Sequence, residues 1–409
     1  MIDRVRRRLA GNRILMWVCV VIAVNQLGFG IIVPITPIYA STFGVSEAAI
    51  GLVVAVYGLG RFLFSVPVGQ ATDRFGRRRT IFAGTLVTCA GSLLCGLAGD
   101  FTQLLIFRFI SGVGATTVIT GTQIVVADVA TRENRGRMMS TYQGFFSFAV
   151  GVGPSIGGLV ALYAGPRAPF FVFAVLTLVA GTVALTQLPE TRPVRGTAVS
   201  TDPLASPRGP STVRLLLGNV GFLTVSVVTF VAAFNRTGAL FSVVPLMGVD
   251  RLHLDSAAIG FAITLGNLCN LVFVTMAGFL VDRYGRKPVI VPSCLISCAA
   301  FSGFALAAGY PAFALSAVLW GAGSALANSA SAAYAADQAP PGGNGTTMGI
   351  YRMLSDAGYV IGPALLGVVA DGAGSDAALW LSAAIALGAA VPFALLAPET
   401  GRVRRVQTA

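Results

Sequence analysis

The chain has 409 residues, 55% of them hydrophobic and only 11% charged, with a mean hydropathy of +0.79. A soluble domain carries roughly 25% charged residues, so this composition excludes a soluble globular enzyme. It indicates a polytopic membrane protein, in which runs of about 20 apolar residues match a hydrocarbon core roughly 30 Å thick.

Apolar runs fall at about 14–40, 47–70, 79–99, 102–128, 137–163, 167–189, 215–247, 256–281, 288–309, 311–336, 346–370 and 376–397, which predicts twelve membrane spans. The first follows MIDRVRRRLAGNR; it is far longer than a signal-peptide core and has no small-residue cleavage site, so it is expected to stay as a spanning helix. Of the 28 Lys and Arg residues, 22 lie in the two ends and alternate loops, two (Arg167 and Arg251) in the opposite loops, and four within spans. This is the positive-inside asymmetry, and it places both termini and the 190–214 segment on the cytoplasmic side. The net charge of +12 therefore reports topology, and no nucleic-acid partner is expected. The six cysteines (Cys19, Cys89, Cys95, Cys269, Cys294, Cys298) lie in apolar runs, without metal spacing or a disulfide framework, and read as small hydrophobes. With a single histidine, a histidine-based metal site or proton relay is excluded, and neither a metal nor a cofactor is expected.

A charged knot, GQATDRFGRRR at residues 69–79, returns as GFLVDRYGRKP at 278–288. At one constant offset of 209 residues, Gly69, Asp73, Arg74, Gly76 and Arg77 align with Gly278, Asp282, Arg283, Gly285 and Arg286. Ala127-Asp128, Tyr142, Gly153-Pro154 and Pro189-Glu190-Thr191 align with Ala336-Asp337, Tyr351, Gly362-Pro363 and Pro398-Glu399-Thr400 at the same offset, whereas Asn25 matches Asn235 after a one-residue shift. Six spans are thus repeated in parallel orientation. The predicted organisation is a bundle at 1–189, a Pro/Ser/Thr/Gly-rich linker at 190–214 and a second bundle at 215–409. Internal repeats of this kind favour a transporter with its substrate site between the halves, near the membrane midplane.

Twelve spans in a six-plus-six repeat, with the D-R-x-G-R-R loop echoed between spans 8 and 9, resemble the major facilitator superfamily over nearly the whole chain. In GFFSFAVGVGPSIGG, the residues Gly144, Gly151, Gly153, Pro154, Gly157 and Gly158 resemble the fifth-helix motif of its drug–proton antiporter branch. RFISGVGA, with Arg108, Gly112 and Gly114, resembles that branch's fourth-helix motif. The resemblance implies an all-α membrane fold of two pseudo-symmetric six-helix bundles, no enzymatic activity and a monomer. It also implies a latch: Asp73 approaching the start of helix 11 near 345–349, and Asp282 the start of helix 5 near 136–140. A carboxylate at a helix N-terminus contributes about 0.3–1 kcal/mol when exposed and up to about 2 kcal/mol when partly buried. Alternatively the arginines only fix topology. Gly69 and Gly278 are expected to let helices pack closely, and Gly76 and Gly285 to permit tight turns. Pro288 replaces the last basic residue of the second copy, predicting a weaker latch there.

In the fifth span, Gly144, Gly151 and Gly158 recur every seven residues on one face, and Pro154 removes a backbone donor. Two readings stand: ordinary close packing, or a pliant interface that biases the protein toward export. The stretch lies inside a span with no preceding strand and is not a phosphate-binding loop.

Ionisable groups inside a membrane are costly and mark function. Five stand here: Arg61, Arg108, Arg236, Arg352 and Asp356. Arg61 falls near mid-membrane, on a face with Gly51, Ala55, Gly58, Ser65 and Gly69. Arg352 and Asp356, four apart on helix 11, share a face and can pair. Asp356 is the only carboxylate deep in a span. It is either a proton carrier whose affinity changes with its distance from Arg352 or a permanent structural partner of that arginine. Many antiporters of the branch carry an acid in helix 1, where this chain has Asn25-Gln26. Asp128 reads as a second proton group or as a gate pair with Arg132 or Arg135. The balance of four arginines against one aspartate suits a neutral, zwitterionic or anionic substrate, provided the arginines face the cavity. Gln26, Phe29, Arg61, Arg108, Arg236, Asn267, Trp320 and Asn328 are its candidate lining. The whole reads as a secondary transporter, most simply a proton-driven exporter of small amphipathic molecules, with an importer or facilitator as the rival. Arginine- and alanine-heavy usage suggests a GC-rich bacterial genome and hence the bacterial inner membrane. An enzyme is disfavoured because the spans contain no His cluster, paired carboxylates or Ser/His/Asp set.

Overall fold

The computed structural model describes residues 2–130, 135–191, 212–340 and 344–400; the 190–214 linker lies largely outside this range. Among the described residues the chain is helical throughout, without strands. Among those residues twelve helices are long and apolar enough to cross a membrane. In chain order the elements are α1 (Ile2–Ile32), α2 (Ile35–Ser41), α3 (Glu47–Phe75), α4 (Arg77–Gly96), α5 (Phe101–Val129), α6 (Arg135–Ala164) and α7 (Ala168–Gln187). They continue as α8 (Thr212–Leu217), α9 (Val220–Phe234), a π-helical stretch (Asn235–Val243), α10 (Val244–Asp250), α11 (Ser256–Tyr284) and α12 (Lys287–Leu306). The last are α13 (Tyr310–Asp337), α14 (Asn344–Ala373) and α15 (Ser375–Leu396).

The chain divides into two compact units, one of Met1–Asp202 with Leu254–Thr264, the other of Pro203–His253 with Leu265–Ala409. In the first, Val18, Ile22, Ile81, Val118, Val125 and Tyr142 form a buried core, and the Tyr142 and Thr122 hydroxyls share a hydrogen bond of 2.9 Å. Small residues let its helices touch through their backbones, as expected where lipid supplies little hydrophobic drive for association. An added Cβ on Gly91 would come to 2.7 Å from the Ser111 nitrogen, and one on Gly60 to 2.7 Å from the Phe109 oxygen. In the second unit Phe222, Val225, Ile290, Tyr334 and Phe393 are the centre of the core, and Tyr334 donates to the Pro398 carbonyl at 2.8 Å.

Two predicted runs differ from the structure. The first run is interrupted at Val33-Pro34, where α1 ends and the short α2 begins. The seventh breaks at Gly218-Asn219, with Asn219 capping α9 through a bond from the Phe222 nitrogen, and then widens into nine residues of π-helix. Such turns are rare and usually single. Here three features accompany the wider coil. Pro245, at the start of α10, has no backbone donor to give the preceding turn. Asn235 Nδ2 donates to the Ser382 carbonyl of α15 at 3.0 Å. Thr237 Oγ1 donates to the Tyr359 carbonyl of α14 at 3.1 Å.

The glycines of α6 follow the seven-residue pattern only in part. Gly144 is exposed, and a Cβ there would meet nothing within 4 Å. The close approaches fall at Gly158, where a Cβ would run into the Ser256 carbonyl, at Gly153, where it would lie 2.5 Å from the Gly30 Cα, and at Gly157, where it would run into the Ile31 carbonyl. The face that packs on α1 is thus the 153/157 row, four residues apart. Gly157→Ala is expected to cost about 1–3 kcal/mol through overpacking against an unyielding backbone, with Gly144→Ala neutral; thermal unfolding of the purified variants checks the contrast. On the same helix Gly158 accepts from Ser256 Oγ at 3.0 Å, and the Ser155 nitrogen donates to Thr264 Oγ1 at 2.9 Å, both within the first unit.

Candidate functional site

Both charged knots are built alike. Gly76 and Gly285 each end a helix at φ +95°, a region that favours glycine. Directly after the turn, where the next helix starts, a distant carboxylate caps the backbone N–H of the arginine. Arg77 N donates to Glu190 Oε1 at 2.8 Å, and Arg286 N to Glu399 Oε1 at 2.8 Å. A negative charge at a helix N-terminus is favoured both by the orphan donors and by the helix dipole. The fit is tight: a Cβ on Gly76 would come to 2.5 Å from Glu190 Oε2, and one on Gly285 to 2.5 Å from Glu399 Oε1.

The arginine after each turn then pairs with the acid that ends the fourth span of its unit. Arg77 Nε lies 2.9 Å from Asp128 Oδ2 and Arg286 Nε 2.9 Å from Asp337 Oδ2. Thr191 Oγ1 adds a bond to Asp128 Oδ2 at 3.0 Å, and Lys287 adds its N to Glu399 at 3.2 Å and its Nζ to the Ala397 carbonyl at 2.9 Å. Asp128, expected to face Arg132 or Arg135, is thus held by Arg77; those two arginine side chains lie outside the described residues. So do the side chains of Asp73 and Asp282, and with them both latch expectations. Arg74 and Arg283 are exposed, each over neighbouring aromatic rings, Phe75 for one, Phe279 and Tyr284 for the other. Gly69 and Gly278 do not serve close packing here, since a Cβ on either would meet nothing within 4 Å.

Among the membrane-depth side chains, the structure groups some of the predicted set and separates the rest. In the first unit Phe29 of α1 stacks on Tyr57 of α3, centroids 5.4 Å apart, and the Arg108 guanidinium of α5 lies 4.4 Å from the Tyr57 centroid. Gln26 is buried one turn from Phe29, and Arg61 is half-buried on α3. Tyr57 had no sequence signal beyond being aromatic.

In the second unit Arg236, half-buried at the start of the π-helical stretch, lies over Phe241 at 5.5 Å. Trp320 and Ser324 line a cavity of about 30 Å³ with Asn235, Ser297, Cys294 and Phe301, room for about two waters. Asn235 Oδ1 is buried there without a partner among the described residues. Asn328 is exposed and donates to Ser324 Oγ at 3.3 Å, and Asn267 is half-buried on α11. On α14 Arg352 is exposed and Asp356 half-buried. Arg251 fastens helix ends within its unit. It donates to the carbonyls of Phe304, Ala305 and Ala307 at 2.9 Å each and pairs with Asp376. No group of three His, Cys, Asp or Glu side chains that could hold a metal ion occurs among the described residues.

Comparison with known proteins agrees with this architecture. The family profile described as Major Facilitator Superfamily matches residues 18–258 and 225–409. Multidrug resistance protein 1 of Bacillus subtilis is 26% identical over 386 residues, spanning 91% of this chain and 93% of its own. Tetracycline resistance protein, class B, of Escherichia coli is 25% identical over 370 residues, 86% of each chain. Among solved structures, a bacterial homolog of the human lysosomal transporter Spinster superposes with a TM-score of 0.77 at 15% identity, covering 93% of this chain and 95% of that one.

Proposed function

Given that the chain belongs to the major facilitator superfamily, we propose that this transporter exports small amphipathic molecules in exchange for protons. The observation that carries the reading is the end-to-end similarity to a multidrug resistance protein and a tetracycline resistance protein. Two features of the chain support it. The closely seated Gly153-Pro154 and Gly157 of α6 belong to the stretch that resembles the antiporter branch. Asp356, half-buried well inside a span, is a group able to take up and release a proton.

In this reading the bundles at 1–189 and 215–409, joined by the 190–214 linker, work by alternating access. Both termini lie in the cytoplasm and the protein works as a monomer in a bacterial inner membrane. The candidate lining is Gln26, Phe29, Arg61, Arg108, Arg236, Asn267, Trp320 and Asn328. The knots Gly69–Arg77 and Gly278–Arg286 serve as the gate, with Asp73 and Asp282 as latches. The positive balance of the membrane-depth side chains favours neutral, zwitterionic or anionic substrates over cations.

Accumulation of a mixed compound panel in pump-deficient bacteria tests export. Cells expressing the protein are expected to hold less compound than empty cells, and a protonophore is expected to erase the difference. Greater accumulation on expression would make the protein an importer.

A further inference from the structure

We propose that Arg108, Tyr57 and Phe29 form a carboxylate-binding site in the first unit, built for a monocarboxylate with a flat apolar body. This narrows the substrate class of the transporter reading and rests on it for calling the ligand a substrate.

Arg108 is a cation that lacks an anion among the described residues. Arg108 is 3% exposed, and its Nε, wholly buried, has no hydrogen-bond acceptor among the described residues. The ion pairs Arg77–Asp128, Arg251–Asp376 and Arg286–Asp337 do not include it. Two other arginines among the described residues end on carboxylates and carbonyls: Arg77 on Asp128 and the Thr72 carbonyl, Arg251 on Asp376 and three carbonyls. An arginine placed only for structure would be expected to do the same, because a buried charge is costly unless it is paired.

What Arg108 has instead is a face. Its guanidinium carbon lies 4.4 Å from the Tyr57 centroid, and Tyr57 in turn stacks on Phe29 with the rings 18° apart. A ring face beside the guanidinium attracts the cation but offers its N–H groups no oxygen acceptor, and those groups suit a planar carboxylate fork. A carboxylate accepting there would have its body beside two parallel rings, a surface that favours a flat, apolar group. Asn25, one turn before Phe29 on α1, is fully buried, and both its amide atoms lack partners among the described residues. It supplies a neutral donor and acceptor for polar substituents. A single guanidinium balances a monoanion; a dianion such as a phosphate monoester would keep an uncompensated charge in a poorly solvated place.

Equilibrium binding and thermal unfolding of the full purified chain test the site, using benzoate, acetate, benzamide and chloride at matched ionic strength. Benzoate is expected to bind saturably, to raise the unfolding temperature, and to bind at least ten-fold more tightly than acetate or benzamide. Chloride is expected to have no effect. Arg108→Met is expected to fold with an unchanged or higher unfolding temperature without ligand, since it removes an unpaired charge, and to lose the benzoate response. Arg108→Lys keeps the charge without the fork and is expected to weaken benzoate at least ten-fold. Tyr57→Leu is expected to retain acetate binding while reducing the preference for benzoate.

Absence of a benzoate response, its survival in Arg108→Met, or an equal response to benzamide would each overturn the proposal. A chloride response of the same size would assign the site to inorganic anions and overturn it as well. Binding is read without transport, so benzoate that binds but is not exported would count against the export reading alone. Efflux of neutral compounds without benzoate binding would count against the carboxylate site alone.

Discussion

Arg77→Met is expected to lower the unfolding free energy of the protein by about 3–5 kcal/mol, the cost of stranding one member of a buried ion pair. The side chains of Arg77 and Asp128 are only 7% and 20% exposed, so water cannot replace the lost partner. The same substitution removes the bond from Arg77 Nη1 to the Thr72 carbonyl, 3.3 Å, which ties the arginine back to the helix before the Gly76 turn. Methionine fills much of the arginine stem, so the loss is electrostatic more than steric. Paired substitution of Arg77 and Asp128 to apolar residues is expected to recover much of the loss, because it removes both charges together.

The second copy offers an internal control. Arg286 and Asp337 make the same bond at the same 2.9 Å, but their side chains are 17% and 33% exposed. Solvent screening reduces such a pair toward the surface range, about 1–2 kcal/mol for Arg286→Met. Chemical unfolding of both variants in mixed micelles gives the ratio. Equal losses in the two copies would mean that burial does not set the strength of these pairs.

These arginines stand out in the sequence through their repetition, and the same repetition holds more than the arginines. Pro189-Glu190-Thr191 and Pro398-Glu399-Thr400 stood at the common offset, yet the glutamates acquire their role only in three dimensions. Each reaches a helix start 113 residues away, and no local pattern encodes such a contact. Spans were legible because the bilayer imposes a length and a polarity on each helix; helix interfaces were not. A seven-residue glycine period suggested one face of α6, but the backbone contact with α1 follows Gly153 and Gly157, since a neighbouring helix reads the four-residue row as readily. The π-helical stretch was equally hidden, because hydrophobic periodicity records which face is apolar and carries little trace of a widened turn. Arg108 was visible as a charge out of place, but the ring beneath it was not, because Tyr57 lies on a different helix.

Asp356→Asn is expected to abolish proton-driven transport, at least ten-fold, while leaving substrate exchange without net proton movement intact. The placement of the residue argues for this. Gly358 and Gly362 seat α14 against α9, where an added Cβ would meet the backbone of Phe230 and Phe234. At 3.6 residues per turn, Asp356 is about 200° around the helix from Gly358, so it stands away from that packed face. It is half-buried about 13 Å along the axis from Thr347, deep enough that its ionisation depends on its surroundings and on which charges come near. Asparagine preserves the volume and the hydrogen-bonding shape but holds no titrating proton, whereas Asp356→Glu keeps the proton and is expected to retain part of the coupling. Proteoliposomes separate the two activities: a pH gradient drives net flux in one assay, and labelled substrate exchanges at equal pH in the other. Loss of both in a normally folded Asp356→Asn protein would make Asp356 part of the binding or structural framework. Retention of gradient-driven flux would move the coupling proton to another group.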